Sequence, residues 1–165
     1  IAADAGTLAH NMVQAHLEGR DTQALIAGVE EAVAGRALNG YSNWNSWLGL
    51  TRLNVKIWEK PLVCEHHRYG GTPDALLWLE DGIALGDWKN SNAVYPETLM
   101  QLAAYGHLFA DAGIAIDKGY HLCRFSPENG DFSHHYFGEL TEAWEMFQHL
   151  RAAYDLDLKL KRRVR

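Results

Sequence analysis

Asp74, Asp87 and Lys89 are the residues of this chain whose types and spacing could do chemistry. They occur in Thr72-Pro73-Asp74 and, after twelve intervening residues, in Gly86-Asp87-Trp88-Lys89. Asp87 and Lys89 are two apart, so an extended strand puts both on one face. Asp81-Gly82 reads as a hairpin turn, and counting outward from it brings Asp74 near the level of Asp87. Whether the two aspartates share a face depends on register, which the sequence leaves open. Converging carboxylates hold hard divalent cations, which neutralise a phosphate and activate water. An ammonium beside them can orient or deprotonate that water, or stabilise the charge on phosphorus. A lysine near metal and other cations can have its pKa lowered enough to act as the base. Singly, each residue is also what a solvated surface group looks like. The setting decides, because Leu76, Leu77, Leu79, Ile83 and Leu85 make both strands apolar. Charges on a central hairpin need partners or metal.

The elements that must position these groups follow from periodicity. Leu8, Met12, Val13 and Leu17 give helical spacing before Gly19, with His10 on that helix. Asp21 or Thr22 caps a second expected helix with Leu25, Ile26, Val29 and Val33. Ser42 or Asn43 caps a short third helix with Trp44, Trp47, Leu48 and Leu50. Strands are expected at Val55–Val63, Tyr69–Leu79 and Ile83–Lys89, forming an antiparallel meander. Pro96 opens a helix to about residue 112, ending at Gly113. Gln101 and Tyr105 share a face of it. Strands at 118–125 and 132–137 and a helix from Thr141 to about residue 157 complete the chain. The fold class is α/β, a central mixed sheet flanked by helices. One domain is expected over 1–165, with a helical N-terminal region over 1–53, a core over 54–125, a hairpin and helix to 158, and a basic tail over 159–165.

Asp74 and Asp87 lie within a larger pattern that resembles the PD-(D/E)XK nuclease superfamily, in its RecB-like and phage (lambda-type) exonuclease branch. Gly70-Gly71-Thr72-Pro73-Asp74 and Asp87-Trp88-Lys89 resemble the core motif. Gly6-Thr7-Leu8-Ala9-His10 resembles an N-terminal G-T-x-x-H motif, and Gln101-Leu102-Ala103-Ala104-Tyr105 a Q-x-x-x-Y motif. Glu59 resembles an upstream glutamate better than Glu65 does. The match spans residues 6–105. The resemblance implies a restriction-endonuclease-like core and a DNA nuclease, with exonuclease action favoured, in phage-type recombination, repair or processing. It implies one or two magnesium or manganese ions held by His10, Asp74, Asp87, the Trp88 carbonyl and Glu59. Lys89 serves the water, while Gln101 and Tyr105 support the phosphate or Lys89. Manganese suits an imidazole beside oxygen donors. The alternative is a non-catalytic DNA-binding or assembly module on the same fold, or action on RNA.

Composition sets the remaining expectations. Apolar residues at 47% and charged residues at 22% fit a globular chain, not a disordered one. The net charge of −6 argues against a nucleic-acid partner at first. Metal-binding carboxylates account for local acidity, and Lys159, Lys161, Arg162 and Arg163 form a basic run able to touch phosphates. A solvated tail is the plainer reading of that run. Cys64 and Cys123 are too few for an iron–sulfur cluster and are expected reduced, in a cytoplasmic protein (a bacterial host's, if phage-encoded). No stretch suits a membrane span or signal peptide. DNA is the expected partner, with a homo-oligomer or a phage recombination partner possible. Trp88 should face the core. Trp44, Trp47 and Trp58 are core or rim groups before they are base-stacking platforms. His66-His67 and His134-His135 read as surface pairs.

Overall fold

The computed structural model describes residues 2–57 and 61–164. Helix α1 (Ala2–Leu17) packs on α2 (Glu31–Thr51), and one 3-10 turn (Gln23–Ile26) lies between them. The expected second helix therefore breaks. Gly28 takes φ +77°, the left-handed region that glycine enters freely, and Ala27 before it is extended. The expected third helix is the second half of α2. Asn43 caps nothing: its amide donates to the carbonyls of Ser126 and Asn129 and ties α2 to the far end of the sheet.

The strands are β1 (Asn54–Ile57), β2 (Leu62–Cys64), β3 (Tyr69–Gly71), β4 (Ala75–Leu79), β5 (Gly82–Asn90), β6 (Tyr120–Phe125) and β7 (Phe132–Phe137). Five form one mixed sheet, in the order β1-β4-β5-β6-β7, while β2 and β3 form a separate ribbon. So the expected meander is interrupted by an excursion. The strand read over Tyr69–Leu79 splits because Pro73, without an N–H, cannot join a ladder. The segment carrying Glu59 lies outside the described residues. Among the described strands only β5 and β6 run parallel. A parallel neighbour needs a crossover, and α3 (Pro96–Asp111) supplies it.

The hairpin turn is Glu80-Asp81, one residue earlier than expected, with Leu79 paired to Gly82. Neither turn residue has positive φ, so Gly82 is not needed for turn geometry. Two side chains crowd it instead. A Cβ there would fall 2.5 Å from the Asp117 carboxylate, which accepts from the Ile83 N–H at 2.8 Å.

Each face of the sheet buries a cluster. Val13, Trp44, Trp47, Trp88 and Phe125 pack on the α1–α2 face, and Leu76, Leu85, Leu102, Phe109 and Leu122 on the α3 face. Helix α4 (Thr141–Arg163) runs past the expected end, so the basic run is helical. No glycine or proline interrupts it, cations suit a helix C-terminus, and Lys161 pairs with Asp157 at 2.7 Å. Among the described residues no helix is long and apolar enough to cross a membrane.

Trp47 is fully buried against Trp88 and Phe125. Trp47→Ala should cost about 3–5 kcal/mol, read as a lowered urea midpoint.

Candidate active site

The pairing of Ala75 with Gly86 sets Asp74 directly opposite Asp87, on the face that α3 covers. Asp87 is 1% exposed and Asp74 8%. The two carboxylates are thus buried side by side, which is costly unless other groups answer them. Three do. Lys89 Nζ donates to Asp87 Oδ1 at 3.0 Å and lies 2.8 Å from Oδ2. The second approach is a charge contact off the hydrogen-bonding direction, and Oδ2 has no hydrogen-bond partner. The Trp88 N–H donates to Asp74 Oδ2 at 2.9 Å. His10, reaching in from α1, places Nδ1 3.8 Å from Asp74 Oδ1.

The His10 tautomer follows from its other contact. Nε2 lies 2.9 Å from the Trp88 carbonyl, which can only accept, so Nε2 carries the proton. Burial, with Lys89 adding to it, lowers the His10 pKa and keeps the ring neutral. Nδ1 then presents a lone pair towards Asp74. Trp88 is the hub: its N–H holds Asp74, its carbonyl holds His10, and its indole lies on the opposite face in the core.

Burial, and then the neighbouring Asp74, push the Asp87 carboxyl up to about 7, against the pull of Lys89. Burial works to lower the Lys89 pKa, but Asp87 and Asp74 outweigh it and the net shift is upward. Lys89 is therefore an ammonium here. The expected lowering of its pKa is not what these surroundings produce, because the charges nearest to it are carboxylates.

Gln101 Nε2 donates to Tyr105 Oη at 2.8 Å, so the pair is joined to each other and not to Lys89. Burial, Asp87 and Asp74 raise the Tyr105 pKa and keep its proton on. With the oxygen already accepting from Gln101, that proton is directed elsewhere. Gly71 makes room for the ring, since a Cβ there would fall 2.6 Å from Tyr105 Cε1.

Two clefts, each about 530 Å³, open over these groups and meet at Thr98. One is lined by His10, Asn11, Lys89, Asn90 and Tyr95, the other by Tyr69, Gly71, Gln101, Tyr105 and Phe147. Asn11, Asn90, Tyr95 and Thr98 were not foreseen. The available signal was position: Asn90 and Ser91 follow Lys89 at the C-terminal end of β5, beside the switch from antiparallel to parallel neighbours, where such sheets open crevices.

Lys159, Arg162 and Arg163 are exposed on the last turns of α4, and Lys161 is paired. Leu150 borders the second cleft, so Arg163 lies about 20 Å further along the helix. Trp44, Trp47 and Trp88 are buried and offer no stacking surface. His134 departs from a plain surface role. It accepts from Trp47 Nε1 at 3.2 Å through Nδ1, which leaves Nε2–H to donate to His121 Nδ1 at 2.7 Å. His67 packs edge-on to Trp144. Both cysteines are free thiols.

The donor types present suit a hard divalent cation: two carboxylates, a carbonyl and an imidazole lone pair. Asp87 Oδ2, although it has no hydrogen-bond partner, lies 2.8 Å from the Lys89 ammonium, so its charge is already answered. Among the described residues, however, no three His, Cys, Asp or Glu side chains are gathered as a metal-holding group. Lys89 is the cation that Asp87 holds. No family model matches the chain, and no curated protein matches it.

A carboxyl whose pKa rises on folding binds its proton more tightly in the native state, so it opposes folding increasingly as pH rises from about 4 to about 7. Asp87→Asn removes that term. In EDTA its stability relative to wild type should improve steadily from pH 4 to pH 7, measured by urea unfolding at each pH. A constant difference would contradict the buried-charge account.

Proposed function

We propose that this chain is a magnesium- or manganese-dependent DNA nuclease of the PD-(D/E)XK type, built on a restriction-endonuclease-like core and acting as an exonuclease. One observation carries the reading. Asp74 and Asp87 lie opposite each other at the end of a central hairpin, with Lys89 on Asp87 and His10 beside Asp74, and both Lys89 and His10 line a cleft. A structural ion pair would need one carboxylate for one lysine. A second carboxylate beside the first adds a like charge that an ion pair does not need.

Asp74, Asp87, His10 and the Trp88 carbonyl would hold the cation, with Glu59 a further candidate. A cation held there supplies charge neutralisation at the phosphate and acidifies water. Lys89, as an ammonium, neutralises the developing charge on the phosphoryl oxygens and orients the attacking water. The Trp88 backbone fixes Asp74 and His10 in position. Tyr105 donates its proton to a phosphate oxygen, and Gln101 holds its ring. Asn11 supplies an uncharged hydrogen-bonding group along the cleft wall, suited to a sugar–phosphate strand, while the Asn90 amide turns to Ala5 and Gly40.

A second reading, a DNA-binding or assembly module without catalysis, draws on the lack of an assembled metal-holding group among the described residues. The experiment that separates them incubates the protein with linear and circular DNA, single- and double-stranded, in magnesium, manganese or EDTA. Degradation of linear DNA is expected in either metal and not in EDTA, with circular DNA spared. Lys89→Ala and Asp87→Asn should each lower the rate at least about 10²–10³-fold. Intact DNA in both metals, with retained binding by gel shift, would leave the module reading. Tyr105→Phe should lower kcat more than it weakens DNA binding, because its hydroxyl meets charge that develops only in the reaction.

A further inference from the structure

Helix α3 begins where the two clefts meet, and its first turn is left open. Tyr95, the residue before it, makes no side-chain cap, and Pro96 has no N–H to offer. The Thr98 N–H turns back to the Tyr95 carbonyl at 3.0 Å, which leaves the Glu97 N–H without a partner among the described residues. The aligned peptides of a 16-residue helix add partial positive charge at this end. A helix start alone is a common feature and marks no site.

Thr98, in the same turn, is unusual. It is only 9% exposed, yet its hydroxyl has no hydrogen-bond partner among the described residues. A threonine inside a helix commonly turns its hydroxyl to a carbonyl one turn back. Thr98 does not, and it lines both clefts. A hydroxyl so nearly buried is costly to leave unpaired unless a ligand answers it. Charge decides on which side that ligand sits. Lys89, Asn11 and Tyr95 line the first cleft, and Glu97 lines the second. An anion is therefore drawn to the Lys89 side of Thr98 and repelled from the other.

We propose that Thr98 and the first turn of α3 anchor a second phosphate of the substrate strand, beside the phosphate that reacts at Lys89. The Thr98 hydroxyl and the Glu97 N–H donate to its oxygens, and the positive end of the helix favours its charge. No base edge is read, so the anchor is indifferent to sequence. Thr98 is a positioning residue that holds the strand in register. The anchor rests on the reading of this chain as a DNA nuclease, but it acts in binding and needs no metal.

Binding of a labelled single-stranded oligonucleotide, followed by fluorescence anisotropy in EDTA so that no strand is cut, tests this. Thr98→Val keeps the shape and lacks the hydroxyl, and should bind about 10-fold more weakly. Thr98→Ser should bind like wild type, and circular dichroism checks that both variants fold. Methylphosphonate linkages, which carry no charge, are then placed one at a time along the strand. One linkage that weakens binding to wild type should have no effect on Thr98→Val, because the hydroxyl that meets it is already gone. In magnesium, Thr98→Val should raise KM and leave kcat within about twofold. Unchanged binding by Thr98→Val, an equal loss in Thr98→Ser, the same linkage profile in wild type and Thr98→Val, or a fall in kcat with KM unchanged would overturn the anchor. A wild type that binds the strand but cuts it in neither metal would overturn the nuclease reading alone, and one that binds no strand would overturn both.

Discussion

Two carboxylates buried face to face constrain most of this molecule. The ladder between β4 and β5 sets Asp74 opposite Asp87, and the low dielectric around them makes each ionised form costly. The surroundings answer this residue by residue. Lys89 comes from the same strand face, two positions on. Trp88 offers its N–H from the position between. His10 arrives from α1, more than sixty positions away in sequence, and turns a neutral nitrogen towards Asp74. Helix α1 must therefore pack where it does, and α2 must hold it there through the tryptophan cluster.

The two faces of the sheet differ in what they bury. The core on the α1–α2 face is closely packed aromatic surface and favours folding. The opposite face buries leucines for most of its length, then carries like charges at its end. A fold selected only for stability would place one more leucine at position 87. Like charges retained at the end of an apolar sheet are a frequent feature of binding and reacting sites.

What was legible in the sequence was its local chemistry. The two-residue spacing placed Asp87 and Lys89 together, alternation turned Trp88 into the core, and Pro96 opened α3. What was less legible was decided at long range. Had Asp81-Gly82 formed the turn, Asp74 would face Lys89 across the ladder. The turn falls one residue earlier, and Asp117 from the far end of the crossover accepts from the Ile83 N–H just after it. Pro73 split one expected strand, and Gly28 and Asn43 redrew the helices. The Lys89 pKa also depended on distant neighbours. A motif suggests a lysine near metal, whereas the folded surroundings present two carboxylates to it.

Trp88 has a consequence of another kind. Its backbone grips Asp74 and His10 while its indole lies edge-on to Trp44, with ring centroids 6.1 Å apart, and 5.9 Å from Trp47. Indoles that close couple their excited states. A displacement at the carboxylates moves the Trp88 peptide, and with it the angle between those transition dipoles. The protein thereby carries an intrinsic optical reporter, placed beside the buried carboxylates and shielded from solvent by the core.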